Sequence, residues 1–597
     1  MNLSEFNRGK APIEMFYHWE NESPNRIYLR QPIDGQWHEY SYSRVADEAR
    51  RLTSALYSLG LKKGDKIALI SKNCAQWIIA DLAMQLGGFV SVPLYIDQTP
   101  DSFKYILKHS DTKALFAGKL DQGVWDRIKD HVPPGITKIG FSFHGQDADC
   151  RKENSMDHNW QDLIHLNQPF LDCPVPDDND PWTIVYTSGT TGLPKGAVHN
   201  YRAPRFIGSR IINIFGLGPQ DRALSFLPLA HVAERLLVAV NGLYSGMQIN
   251  FTQSLDTFSR DLTEVQPTVF FSVPRLWKKF QGGILNKMPQ KKINTLLKIP
   301  VIKNIVAKKI RHALGLGKAK IVISGAAPIS IDLLNWYAKL GIEILEGYGM
   351  TENIAYGFIG RPGKSIPGTV GSEMPGSGFK LSEQGEVLFK SPALMHSYYK
   401  DEEKTREAIN EEGYLLTGDI GEIDKNGNLK ITGRIKESFK TEKGEYVAPA
   451  PIESKLASLN ELEQICLGGL GLRQPVVVVT LSDQAASKAQ IELEKLIACH
   501  IKAINLKLLN HEKIAGAIIS REDWQPDTGL VTPTLKVKRN MIEKRYGKLM
   551  AQAVNTSNNI FLRRQSPLNL KYFTNMFYIF LTYCAQYFVF TAEVLIK

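Results

Sequence analysis

Cysteine is scarce in this chain, with six in 597 residues. Cys74, Cys150, Cys173, Cys466, Cys499 and Cys584 are scattered, no two have metal-ligand spacing, and no disulfide framework is legible. That excludes a disulfide-stapled scaffold and suits a reducing compartment. The first residues, "MNLSEFNRGKAPIEMF", contain no apolar run of the signal-peptide kind, so a cytoplasmic location is expected. No internal repeat is found, which sets solenoids and propellers aside. A basic stripe interleaved with aromatics, a zinc finger and an RNP signature are all missing, so no nucleic acid partner is expected.

What is present is a long, ordinary globular composition. The chain exceeds one core, so two or more domains are expected. Hydrophobic residues make up 43% and charged residues 22%, both within the globular range. Lys and Arg number 72 against 61 Asp and Glu, a net charge of +11. That excess favours polyanionic ligands or an anionic membrane surface.

The first several hundred residues alternate helix-like and strand-like patterns. "SRVADEARRLTSALYSLG" sets Val45, Ala49, Leu52, Leu56 and Leu59 on one helical face, with Gly60 as the stop. "KIALIS" and "FVSVPLYI" read as buried strands around the helix "AQWIIADLAMQLGG". This rhythm predicts a mostly parallel sheet covered by helices. Three later strands run into unusual residues: "TVFFS" into "VPRLW", "KIVIS" into "GAAP", "IEIL" into "EGYGMTE". Ligands of open α/β sheets bind beyond the carboxyl ends of strands, so a site is expected there. From about residue 357, Gly, Pro and short strands ("GEVLFKSP", "GNLKITG") predict a small β subdomain. A second α/β segment follows from about 438, with "PVVVVTLS" and "KIAGAIIS" around the helix "QIELEKLIACHIKAI". "AVNTSNNIFLRRQSP" reads as a polar linker before an apolar, aromatic tail.

One loop has the chemistry of a phosphate cradle. "VYTSGTTGLPKG", residues 185–196, follows the strand "WTIVY". Gly189 and Gly192 let backbone N–H groups approach an anion. Thr187, Ser188, Thr190 and Thr191 add hydroxyl donors, and Lys195 a positive charge. It is not a Walker A loop, because Gly196 stands where that motif needs Ser or Thr.

This loop resembles the signature of the adenylate-forming superfamily, which includes the acyl-CoA synthetases. Six companion motifs follow in order: "FLPLAHVAER", "SGAAP", "EGYGMTE", "YLLTGDIG", "GRIKESFKTEKGEYVAPAPIE" and "TPTLKVKR". The resemblance covers roughly residues 10 to 550. It implies an α/β fold with a large N-terminal domain of stacked α/β subdomains plus a β subdomain, a hinge, and a small mobile α/β C-terminal domain. The boundaries implied are an AMP-binding domain over 1–432 (β-rich from about 357 to 432), a hinge at 433–437, a mobile domain over 438–553, and a linker and tail over 554–597. It also implies a reaction in which a carboxylate attacks the α-phosphate of ATP and CoA then displaces AMP. Such chemistry needs positioning and charge neutralisation rather than a nucleophilic Ser–His pair.

Residue roles follow from the same resemblance. Tyr348 would stack on adenine, with Gly349 beside it and the backbone of Gly325 and Ala326 along the ring. Thr351 would bond the α-phosphate, and Glu352, with Thr191, would hold Mg²⁺. Asp419 would accept from both ribose hydroxyls, with Arg434 as its companion. Lys536 would be the catalytic lysine, three residues before Arg539, with Lys538 as a competing assignment. His231 matches a histidine near the acyl pocket and reads equally well as a structural histidine. Lys436 falls in the hinge. Lys443, Gly444 and Glu445 form the loop that would face CoA, and Lys443 departs from the Gly-Gly common there.

"FLPLAHVAER", "VPRLW" and "EGYGMTE" together look most like the long-chain fatty acid–CoA ligases. Fatty acid, ATP, Mg²⁺ and CoA are the implied substrates and cofactors. A ligase for an aryl or branched acid, an acyl-AMP ligase loading a carrier protein, and a silent lipid-binding scaffold remain open. So does a homodimer. The basic stretch "LLKIPVIKNIVAKKIRHALGLGK" reads either as a bilayer contact or as a solvated helix face, interrupted by Pro300. The tail from Phe573 to Ala592 has no charged residue and about the length of a membrane span. It fits a membrane anchor, or a helix packed on the protein or a second subunit.

Overall fold

The computed structural model describes residues 9–121, 123–141, 155–187, 193–482, 485, 488–520, 522–532, 535–555 and 561–564. Ser188, Gly189, Thr190, Thr191 and Gly192 of the phosphate loop lie outside the described residues, as does the tail from Phe573 to Ala592.

Two large sheets organise the N-terminal domain. In one, the parallel strands Lys66–Ile70, Val90–Leu94, Thr112–Ala117 and Thr137–Gly140 form the middle. In the other, Ile27–Ile33, Gln248–Phe251, Arg222–Ser225, Val269–Ser272, Ile321–Ser324 and Leu345–Tyr348 run parallel in that spatial order. Strands buried on both faces need near-continuous apolar runs, and "KIALI" and "VSVPL" supply them, with the small Ser91 as the one buried polar residue. The helices Tyr42–Ser58 and Ala75–Leu86 lie between the sheets, in a core that draws residues from both. This position explains why the second helix is buried all round. The first buries Val45, Ala49, Leu52 and Leu56, and Gly60 after it is left-handed.

The segment 357–432 is woven into both sheets rather than standing alone. Phe358–Ile359 and Ser372–Glu373 extend the second sheet, and Ser397–Tyr398 pairs with Lys195–Asn200 on the edge of the first. Between these joins, Gly378–Leu381, Glu386–Lys390, Leu415–Ile423 and Leu429–Arg434 make an antiparallel sheet. The C-terminal domain has its own sheet, including Leu462–Gly468, Val476–Leu481 and Gly516–Ile519, with the helices Gln490–Asn505 and Arg539–Asn555. Two apolar clusters fill its faces. Pro300 does break the basic stretch: the helix Gln290–Leu296 ends, and Pro300–Ala313 begins with the proline in its first turn.

Candidate active site

The loops after two neighbouring strands of the second sheet build one wall of a cleft. After Ile321–Ser324 the chain passes through Gly325, where an added Cβ would meet the carbonyl oxygen of Gly347 at 3.1 Å. Ala326 follows with φ of +67°. After Leu345–Tyr348, a Cβ on Gly349 would lie 2.6 Å from the backbone of Ala355, so no larger residue fits. Ile354 and Ala355 are left-handed, at φ of +48° and +59°. A β-branched residue in that region is an outlier that packing must hold in place. Thr351–Asn353 form one short 3₁₀ turn, closed by Met350 N–H donating to Asn353 Oδ1 at 2.9 Å.

The opposite wall is a hairpin of the antiparallel sheet. Asp419 and Arg434 face each other directly across the ladder. Arg434 Nε donates to Asp419 Oδ1 at 2.5 Å, and the Tyr348 hydroxyl donates to Asp419 Oδ2 at 2.5 Å. Asp419 N–H donates to Thr417 Oγ1 at 3.0 Å. Asp419 is thus buried with both oxygens engaged. Burial, with Asp419 next, raises the Tyr348 phenol far above its ordinary value, so it remains a donor.

Glu352 is held from the edge of the first sheet. Tyr398 donates its hydroxyl to Glu352 Oε1 at 2.6 Å, and Met395 N–H donates to the Glu352 carbonyl at 2.7 Å. The Lys195 ammonium stands 5.0 Å from the Tyr398 ring centre. Thr187 and Lys195 pair across the hairpin that carries the phosphate loop. His199, on the same strand as Lys195, bonds the Thr351 carbonyl through Nε2 at 2.8 Å. Burial holds its pKa at about 4, so it donates as the neutral ring. Tyr398, Thr417 and His199 have no sequence signal, because each is recognised only by a partner far along the chain.

The C-terminal domain places Lys536 in this cleft. Thr532 N–H donates to the Lys536 carbonyl at 2.8 Å, and Leu535 is left-handed at φ of +59°. Lys536 itself is solvent-accessible at this turn. Enclosure by the walls lowers its pKa, Arg434 lowers it further, and Asp419, Glu352 and Glu437 oppose them. The Lys536 charge also acts on His231, whose pKa is held at about 4 chiefly by burial. His231 is therefore neutral at neutral pH, and its Nδ1 accepts from Ala233 N–H at 3.3 Å. Arg539 fixes the loop: it pairs with Glu453 at 2.7 Å and Glu437 at 3.6 Å, and Glu437 reaches Arg434 at 3.7 Å. Lys538 contributes its backbone N–H to the Leu530 carbonyl. Lys436 is exposed in the turn Ile435–Glu437. Lys443, Gly444 and Glu445 form an exposed turn between Phe439–Lys440 and Tyr446–Val447. That turn's bonds are internal, and its neighbour Glu442 bonds Leu472 and Arg473, so the structure leaves it apart from the Asp419 cluster.

Comparison with known proteins decides the family. The AMP-binding enzyme family matches residues 16–399, and the AMP-binding enzyme C-terminal domain matches 438–558. The chain is an AMP-binding enzyme. Similar proteins include the long-chain-fatty-acid–CoA ligase FadD15 of Mycobacterium bovis, 28% identical over 89% of this chain and 95% of that protein. Human long-chain-fatty-acid–CoA ligase 1 is 30% identical over 85% of this chain and 81% of its own. Among solved structures, the adenylation domain of a carboxylate reductase from Mycobacterium chelonae superposes with a TM-score of 0.76 at 21% identity, covering 92% of each chain.

In this AMP-binding enzyme one side chain locks the two domains together. Lys278, on the helix Pro274–Lys287, donates to the carbonyls of Ala457, Leu459 and Leu462 at 2.9, 2.8 and 2.8 Å. Those carbonyls end the helix Pro449–Leu456 and lead into the next strand. Burial pulls the Lys278 pKa to about 8, so at neutral pH it keeps three N–H donors for three acceptors. Arg275 pairs with Glu463 at 2.5 Å beside it. Replacing Lys278 with Met should cost this arrangement about 1–3 kcal/mol. ATP–pyrophosphate exchange should then fall about tenfold, while thioester formation from supplied acyl-AMP holds or rises. Equal losses in both assays would make Lys278 a general stabilising residue instead.

Proposed function

We propose that the enzyme joins a long-chain fatty acid to CoA through an acyl adenylate. First, a carboxylate oxygen attacks the α-phosphorus of ATP, a P–O bond forms, and pyrophosphate leaves. Then the CoA sulfur attacks the acyl carbonyl, a C–S bond forms, AMP leaves with the C–O electron pair, and the thiol proton passes to solvent. The observation that carries this reading is that Lys536, from one domain, lies within electrostatic reach of Glu352 and Asp419, from the other. A cation so placed offsets the repulsion as two anions approach.

The other residues take roles consistent with their places. Tyr348 offers its ring to adenine, bounded by Gly325, Ala326 and Gly349. Asp419, oriented by Arg434, accepts from the ribose. Thr351, Thr187 and Lys195 take the phosphates, and the sequence of the loop 188–192 assigns it the same role. His231, neutral beside Lys536, lies toward the acyl carboxylate. Lys436 supplies the pivot, and Lys443, Gly444 and Glu445 meet CoA after rotation.

Mg²⁺ fits the donor set. Glu352 offers a buried carboxylate whose Oε1 accepts from Tyr398, and Thr191 is assigned to the metal by its place in the loop sequence. Mg²⁺ takes oxygen ligands and is commonly held by one or two carboxylates together with substrate phosphates. When bound, it would neutralise phosphate charge.

The test is AMP formation with ATP, Mg²⁺ and CoA over acids from acetate to oleate, with benzoate and cinnamate. The expected result is CoA-dependent AMP release that peaks at long chains. A peak at aryl acids would overturn the substrate. AMP release indifferent to CoA would point to carrier loading.

A further inference from the structure

Positive charge is concentrated in one stretch of this chain. From Val265 to Ile331 there are thirteen lysines and arginines and no aspartate or glutamate. That block alone exceeds the chain's net charge of +11. Two of its cations pair with acids outside it, Arg275 with Glu463 and Lys320 with Asp221. The helices Gln290–Leu296 and Pro300–Ala313 carry Lys291, Lys292, Lys303, Lys308 and Lys309 at exposed positions. Lys298 lies exposed between them.

The outer face of the second helix is unusual. Ala307 is buried, and Ile310 and Leu314 pack beside it on the same side. At about 100° per residue, Val301, Ile305, Lys308, Lys309 and His312 point the opposite way. A solvent face is normally polar. Here Val301 is 72% exposed and Ile305 53% exposed, and Ile299, just before the helix, is 45% exposed. Two faces of one helix are thus apolar, one covered by the core and one open and rimmed with lysine.

We propose that this helix face docks the enzyme on an anionic lipid bilayer. The lysines meet lipid phosphates, each contributing attraction that falls within a Debye length. The aliphatic side chains enter the headgroup boundary, as the apolar face of an interfacial helix does. The exposed side chains beside the cations are aliphatic, whereas a single-stranded nucleic acid platform requires aromatics. Charge complementarity and the open aliphatic stripe together select a lipid surface.

Flotation of the full chain with vesicles tests this, using phosphatidylcholine alone and a phosphatidylcholine–phosphatidylglycerol mixture. The chain should float with the mixture, stay behind with phosphatidylcholine alone, and dissociate as salt rises. Two variants, Val301→Ser with Ile305→Ser, and Lys308→Glu with Lys309→Glu, should each lose about tenfold or more in partition. All four positions are exposed, so melting temperature and activity on detergent-dispersed acid should hold. Wild-type partition by both variants would overturn the proposal and move any membrane contact to the segment after Arg564. Equal binding to both vesicle types would do the same. Single-stranded RNA binding that survives Val301→Ser with Ile305→Ser, without vesicle binding, would replace lipid with nucleic acid.

Discussion

Replacing Lys536 with alanine should slow acid-dependent ATP–pyrophosphate exchange by about a thousandfold. An ammonium about 4 Å from a phosphate, at an effective dielectric of about 20, contributes about 4 kcal/mol. Spent only as the two anions converge, that is about three decades in rate. The loss should be confined to the first half-reaction. Thioester formation from supplied acyl-AMP and CoA should be close to wild type, because no anion then has to approach the adenylate phosphate. Equal losses in both half-reactions would refute the assignment of Lys536 to adenylation alone. The pH profile gives a second readout. Enclosure and then Arg434 lower the Lys536 pKa. A cation with a lowered pKa loses its proton, and so its role, as pH rises. Exchange should therefore fall on the alkaline side, and Lys536→Arg should move that fall to higher pH. An alkaline limb unchanged in Lys536→Arg would assign it to another group.

The α/β class was legible because its signals are local. "KIALI" and "VSVPL" are mostly apolar and are buried over four and five residues, and Val45, Ala49, Leu52 and Leu56 keep helical spacing. The residues gathered in the cleft were also nameable one by one, since Tyr348, Thr351 and Glu352 sit in one short motif and Asp419 in another. Their geometry was not. Asp419 meets Arg434 through a cross-strand register, and Tyr348 reaches Asp419 from 71 residues away. Tyr398 and Lys278 carry no motif at all. Lys278 is one of 72 basic residues, and its acceptors lie 179 to 184 positions further on. The phosphate loop shows the converse, with the most legible motif in the chain and five of its residues outside the described structure.

Replacing Asp419 with alanine should damage both half-reactions, in contrast to Lys536→Ala. Its carboxylate is the buried acceptor on which Tyr348 and Arg434 converge. If it also accepts from the two ribose hydroxyls, each charge-assisted bond is worth about 1.5–3 kcal/mol. Losing both should lower kcat/KM for ATP by about two to four decades. The adenylate keeps its ribose through the second step, so acyl-AMP should be used poorly as well. Part of the loss would come from Tyr348 and Arg434, left to settle without their shared partner. A cycle with 2′,3′-dideoxy-ATP separates the two causes. If Asp419 holds the ribose, the dideoxy nucleotide should cost the wild type most of this factor and cost Asp419→Ala little more. Additive losses would mean that Asp419 acts only by fixing Tyr348 and Arg434, and that the ribose is bound elsewhere.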